Sequence, residues 1–339
     1  MDLGTLKDDD WSQACTYTRE VAIQRKRVVM KTTNQSSIGE FLFVGLSEDP
    51  NLQIFLFLLF LVIYIFTVIG NIFMITVCIF EPHFHTPMYF FLSNLSFIDI
   101  CYSSVIVPNL LNQLIISRRI TFSRCAAQMY TYLLMGVTES MLLAVMAYDR
   151  YVAISFPLRY TVIISKSVCE IFLGCSWLCG SVFALLTVVF ALQLPLCGNN
   201  IIDHFFCEAT AFVKISCADT SIPQMMFFVI AVFALLTPTL IILISYICII
   251  INIMKISSPE GRYKAFSTCA SHLTVVTMVY GSALFLCLKP VSKKADNRDK
   301  TASLFYTVIP AMLNPMIYSL RNKDVKLVLK KFVRQNTHH

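Results

Sequence analysis

Apolar residues along most of this chain do not alternate with polar ones at the spacing of a strand or a half-buried helix. They run on for whole helix lengths without a lysine or arginine. Crossing a hydrocarbon core takes about 20 mostly apolar residues in a helix, and by that measure the pattern predicts seven spans. Five are clear: Leu52 to Phe80, Tyr89 to Leu111, Ala126 to Tyr148, Ile171 to Leu192, and Ile222 to Met254. A sixth, Phe266 to Leu288, is diluted by Ser267, Thr268, Ser271 and His272. The seventh, Leu304 to Leu320, is short and interrupted by Pro310 and Pro315. Backbone polar groups cannot be left bare in lipid, so spans joined by short loops predict an all-α integral membrane protein, a seven-transmembrane helix bundle. After the last span, Asn322 to Gln335 mixes Val325, Leu327, Val328, Leu329, Phe332 and Val333 with Lys323, Lys326, Lys330, Lys331 and Arg334. That pattern predicts a short basic amphipathic helix on the membrane surface. The expected organisation is a polar tail over 1–51, the bundle over 52–320, and the basic helix and tail over 321–339.

Composition agrees. Of 339 residues, 57% are hydrophobic and 14% charged, against about 25% charged in an ordinary soluble domain. The partner implied is a lipid bilayer, not a nucleic acid. Residues 1–50 carry Asp8, Asp9, Asp10, Arg25, Lys26 and Arg27 and no apolar core, so the first span is expected to act as its own insertion signal.

An odd number of spans puts the termini on opposite sides, but the basic residues divide almost evenly between the two faces and do not orient the chain. Cysteines orient it better. Cys197, Cys207 and Cys217 fall between spans four and five, and Cys125 opens span three on the same side. Four cysteines on one face suggest two disulfides in an oxidising compartment, with three connectivities open. The acceptor triplet Asn34-Gln35-Ser36 lies on that side too, so Asn34 is expected to be glycosylated. Both features predict a plasma-membrane protein with its N-terminus outside and its C-terminus in the cytoplasm. Cys78, Cys101, Cys169, Cys175, Cys179, Cys248, Cys269 and Cys287 fall within spans, where a thiol packs as a small apolar group.

Ionisable residues at membrane depth are costly and usually functional. Asp149 and Arg150 stand where span three meets water, as a switch would. Asp99 and Glu139 lie deep, Glu139 about 16 Å along the helix from Arg150 at a rise of about 1.5 Å per residue. Two such carboxylates are expected to point inward, with Asn71, Ser96 or Asn314 as neighbours, and to share a proton or hold a cation such as sodium. No resident cofactor is expected otherwise. Pro238, Pro310 and Pro315 permit kinks; Asn314 is placed to bond the carbonyls that Pro315 frees, and Tyr318 lies one turn on. A coupled transporter could also use Asp99 and Glu139, but the halves of the chain show no internal repeat. A membrane enzyme would need a nucleophile or metal set, and neither HExxH nor GxSxG is present.

Several blocks in order resemble one family. Met146-Ala147-Tyr148-Asp149-Arg150-Tyr151-Val152-Ala153-Ile154 with Pro157-Leu158 and Tyr160, Gly70-Asn71, Pro87-Met88-Tyr89-Phe90-Phe91-Leu92-Ser93-Asn94-Leu95-Ser96, Ser245-Tyr246, Lys264-Ala265-Phe266-Ser267-Thr268-Cys269-Ala270-Ser271-His272-Leu273, and Pro310 through Asn322 are similar to the vertebrate odorant receptors, a branch of the rhodopsin-like G-protein-coupled receptors. The resemblance spans about Phe41 to Val333. It implies a receptor that binds a small odorant and activates a heterotrimeric G protein of the stimulatory type, raising cyclic AMP. It implies bridges Cys125–Cys207 and Cys197–Cys217. It implies that Asp149 holds Arg150 at rest, that Tyr151, Tyr246 and His272 work beside it, and that Asn314, Pro315 and Tyr318 move in span seven. The ligand pocket it implies is lined by Tyr132, Leu133, Gly136, Val137, Phe227, Ile230, Ala234, Ala283, Cys287 and Thr307, with Tyr280 at its floor. No charge is among them, so a neutral, mostly apolar volatile is expected. The chain departs from the family at Ser155, where cysteine is usual, and at Arg159, where histidine is. Met30 resembles the family's usual start, so residues 1–29 are expected to be an upstream extension.

Overall fold

The computed structural model describes residues 39–196, 200–287, 300, 303–304, 307–321 and 325. Asn34, Cys197 and almost all of the expected basic helix lie outside the described residues.

Among the described residues seven long helices carry the fold: α1 (Pro50–Phe80), α2 (Pro87–Ile115), α3 (Phe122–Ser155), α4 (Lys166–Leu192), α5 (Ser221–Met254), α6 (Pro259–Cys287) and α7 (Ile309–Arg321). The first five are each long and apolar enough to cross a membrane. α6 is as long but starts with Glu260 and Arg262 and carries hydroxyls throughout. Most helices run beyond the apolar windows that announced them. A window ends at the first charged residue, whereas the backbone ladder continues to a cap. Asp49 caps α1 by accepting from the Asn51 amide at 3.0 Å, ahead of Pro50, and Ser165 accepts from the Val168 amide at 3.4 Å to start α4. α3 thus continues through Asp149 and Arg150 to Ser155.

α3 is the central post, packed against α2, α4, α5 and α6, while α7 closes the ring against α1, α2 and α6. Burial follows from position. Only 11% of the most apolar stretch of α1 is covered, against 56% for α3, so Ile54, Phe55, Phe66 and Ile69 face outward, as lipid-facing side chains do. Two glycines set close approaches. A Cβ at Gly70 would stand 3.2 Å from the Pro315 ring, where α1 crosses α7. At Gly180 on α4 it would run into the Thr138 hydroxyl and lie 2.8 Å from the Leu134 carbonyl of α3.

One end carries a feature absent from the all-helix expectation, a three-stranded sheet ordered β2-β1-β3 with β1 Glu40–Phe43, β2 Arg119–Thr121 and β3 Ile201–Ile202. β1 pairs antiparallel with β2, Phe41 opposite Ile120, and parallel with β3, Leu42 opposite Ile201. Strands of two to four residues leave no readable alternation. In β1 the period of two still turns Phe41 and Phe43 inward, and Phe41 meets the Phe212 ring edge-on at 5.3 Å. Gly45 leaves the strand at φ +77, a backbone angle that glycine adopts freely. Arg118 donates to the Val44 and Ser47 carbonyls at 3.0 and 2.9 Å to hold the turn.

Gly180→Val should lower the thermal midpoint of the detergent-solubilised protein, by an overpacking cost of about 1–3 kcal/mol. The Leu134 carbonyl is backbone and cannot yield, so Thr138→Ala should restore only part of the loss; full restoration would show that the hydroxyl alone sets the spacing.

Candidate functional site

At the end of the bundle remote from the sheet, Asp149 is buried and its Oδ1 accepts the Tyr160 hydroxyl at 2.7 Å. Tyr160 opens the short helix Tyr160–Ile163 in the loop after α3. Burial and the Asp149 carboxylate both hold that phenol in its protonated, donating form. Among the described residues no close ion-pair contact joins Asp149 to Arg150, though the Arg150 charge lies within electrostatic reach of the carboxylate. Neighbours in sequence sit about 100° apart on a helix and do not face each other. The Arg150 Nε is buried and makes no hydrogen bond.

Next to this pair, His272 of α6 is fully buried and ties three helices together. Its Nε2 lies 3.0 Å from the Leu143 carbonyl of α3, and its Nδ1 lies 2.8 Å from the Tyr246 hydroxyl of α5. A carbonyl can only accept, so Nε2 carries a proton; in the neutral ring Nδ1 then accepts from Tyr246. The two rings stack at 5.9 Å, and Tyr246 also reaches the Cys269 carbonyl at 3.3 Å. Tyr318 of α7 is buried nearby with its hydroxyl unpaired, and Tyr151 is half-buried, its ring 6.2 Å from that of Tyr148.

Deeper in the bundle, the Asn314 amide of α7 donates to both oxygens of Asp99 on α2, at 3.2 and 3.0 Å. Asn71 of α1 donates to the Ala311 carbonyl at 3.0 Å, bracing α7 just before Pro315. Glu139 of α3 lies within electrostatic reach of Asp99. One oxygen each of Glu139, Asn314 and Asn71 is buried without a donor. Unpaired acceptors around two carboxylates are what a shared proton or a small cation would meet, so the residues present fit either.

Towards the sheet end, Cys125 of α3 is disulfide-bonded to Cys207, which fastens the loop between α4 and α5 to the central post. Cys217 is also disulfide-bonded, while Cys197 lies outside the described residues. Seven span cysteines are free, and the side chain of Cys287 is not among those described. Gln128 locks the loop further, accepting from the Cys207 amide at 3.0 Å and donating to the Val105 carbonyl at 3.1 Å. Phe206 thereby meets Tyr132 edge-on, with ring centres 5.0 Å apart. Of the expected pocket residues, Tyr132, Ala234, Tyr280 and Thr307 are buried; Leu133, Gly136, Val137, Phe227, Ile230 and Ala283 are half-buried. A Cβ at Gly136 would meet the Tyr102 ring at 3.6 Å, which brings Tyr102 of α2 to the same region. Tyr280 donates to the Ser140 carbonyl at 2.8 Å, joining α6 to α3, and the Thr307 hydroxyl is held by the Ser303 carbonyl. A crevice of about 330 Å³ lies elsewhere, on the outward side between α3, α4 and α5, beside Met141, Tyr148, Phe172, Cys175 and Ile241.

Sequence reasoning quoted Tyr160 within a motif but gave it no role, and passed over Tyr102, Gln128, Phe206 and His204. Gln128 carried a signal, since an amide in an apolar span must find partners. His204 is buried against Phe205 and Phe206 and faces Asp203, Glu208, Lys214, Lys300 and the Ser303 hydroxyl. Burial first, then Lys300 and Lys214, push its pKa down to about 3, so the 3.4 Å contact with Glu208 is not an ion pair at neutral pH. Lys300 is paired with Asp203 and donates to the Gly45 carbonyl at 3.0 Å, so the segment ahead of α7 is tied to the strand turn.

A lipid-facing ring of helices around buried polar junctions defines a multi-pass membrane protein of the seven-helix receptor class. The olfactory receptor family model matches residues 60–336. Human olfactory receptor 2K2 is 50% identical over 300 residues, 88% of this chain and 95% of its own length. Human olfactory receptor 13C2 is 47% identical over 313 residues, 90% and 98%, and mouse olfactory receptor 8G50 is 45% identical over 311 residues, 91% and 100%. The chain belongs to the olfactory receptor family, and is a receptor, not an enzyme.

Asn314→Leu should lower the thermal midpoint sharply, because it leaves the Asp99 carboxyl buried without its donor; adding Asp99→Leu should recover part of the loss. A double variant less stable than the single would refute that account. For His204, the unfolded chain takes up a proton below about 6.5 and the folded one only near 3. Its contribution to stability is full above pH 6.5 and lost as pH falls towards 3. His204→Gln should flatten the fall of the melting temperature across that window, and an unchanged slope would count against it.

Proposed function

We propose that this receptor binds a neutral, mostly apolar volatile between α3, α5, α6 and α7, below the sheet. On this reading the bound ligand favours the arrangement in which the Arg150 end is open to a stimulatory G protein, raising cyclic AMP. One observation carries the reading: His272 ties α3, α5 and α6 together beside an Arg150 whose Nε is unpaired. A switch needs a bond that the closed form makes and the open form gives up. Tyr280 joins α6 to α3 farther up and borders the expected pocket, so a ligand that shifts α6 there bears on the same helix that His272 holds.

Pocket chemistry supports an apolar ligand. Its expected lining has no charge, and Thr307 and Tyr280 already spend their hydroxyl protons on carbonyls. Affinity must then come chiefly from buried apolar area. The disulfide at Cys125 belongs in an oxidising compartment, which supports an outside N-terminus, a cytoplasmic Arg150 end and residence in the plasma membrane. Asp99, Glu139 and Asn71 would share a proton or hold a sodium ion, a local charge that reports on the packing of α7.

An odorant panel read with a cyclic AMP reporter tests the reading. Arg150→Ala should abolish the response at normal surface expression; normal signalling by it would refute the assigned output. Replacing Tyr132 by Ala should change the response profile, and an unaltered profile would remove Tyr132 from the pocket.

A further inference from the structure

At the Arg150 end, the Asn252 side-chain amide of α5 donates to the Ser155 hydroxyl, the last residue of α3, at 2.7 Å. Both residues are half-buried. It joins the two helix ends directly beside the place where a G-protein segment must approach Arg150. Ser155 follows Arg150 by five residues, about 7.5 Å along the helix.

α5 therefore has two faces at work. Tyr246 faces α6 and bonds His272, while Asn252 faces α3 and bonds Ser155. Six residues at about 100° each put the two side chains roughly 120° apart around the helix. A turn of α5 that carries Tyr246 off His272 also carries Asn252 off Ser155. Both bonds are made in this arrangement.

Resting on the G-protein reading above, we propose that Ser155 and Asn252 are positioning residues, a clamp that holds the signal-off arrangement and limits signalling without ligand. A bond present in one of two states biases the equilibrium by its own net worth. Removing it raises the small open population roughly fivefold, the size of one ordinary hydrogen bond. Loss of packing alone would lower signal per receptor, not raise it.

The test uses the full chain in cells with a stimulatory G protein and a cyclic AMP reporter, and reads ligand-free signal per receptor at the surface. Ser155→Ala and Asn252→Ala should each raise it roughly fivefold, and the double variant should rise no further than the larger single. Ser155→Thr keeps the hydroxyl and should stay near the parent. Ser155→Cys keeps the volume but makes a poor acceptor, so it should rise as Ser155→Ala does and stands in should the alanine variant fail to reach the surface. Unchanged or lowered signal in the singles, or increases that multiply in the double, overturns the clamp alone if Arg150→Ala is silent. Should Arg150→Ala signal like the parent, the G-protein reading falls and the clamp with it.

Discussion

Lipid offers a polar group no hydrogen-bond partner, and nearly every arrangement in this receptor follows from that lack. A soluble bundle could leave His272, Asn71 or Gln128 to water; here each must be answered by another helix. His272 spans from α6 to a carbonyl of α3 and a hydroxyl of α5, Asn71 reaches from α1 to α7, and Gln128 ties α3 to α2 and to the loop above it. Hydrophobic contact alone does little to choose among helix pairings when the solvent is itself apolar. The polar side chains make that choice. The same groups that specify the bundle are therefore the ones whose rearrangement would cost least in packing and most in hydrogen bonds, which suits a switch.

The sequence made the spans legible because each is a whole helix length of uninterrupted apolar residues. It placed Asp99, Glu139 and Asn314 as residues needing partners, because a polar group in such a run is conspicuous, whereas the role of His272 rested on the family motif around it. Partners were harder to read. Tyr160 lies in a loop, where a tyrosine is unremarkable, and its bond to Asp149 depends on how that loop turns back. The Leu143 and Cys269 carbonyls are backbone atoms and carry no side-chain signature at all. Adjacency in sequence also misled. Asp149 and Arg150 look like a direct ion pair when written side by side, yet the close partner of the Asp149 carboxylate is the Tyr160 hydroxyl.

The sheet end answers a different demand. The loop after α4 must stay ordered over a bundle whose top opens to water, and it is held by a disulfide to α3, by Gln128 and by the strand pairing. Rigid backbone there fixes Phe206 against Tyr132 and keeps His204 out of water. Floor and roof of the pocket region are thus both anchored on α3, the helix that also carries Asp149 and Arg150.

The middle strand of that sheet precedes α1, and its partners follow α2 and α4; the Glu40 carbonyl receives the Asn200 amide from 160 residues further on. In a chain made from its N-terminus, β1 emerges first and finds its last partner only after four helices have entered the bilayer. Until then β1 keeps one unpaired edge. Completion of the sheet thus requires the segment before α1 and the loops after α2 and α4 to lie on the same side of the bundle.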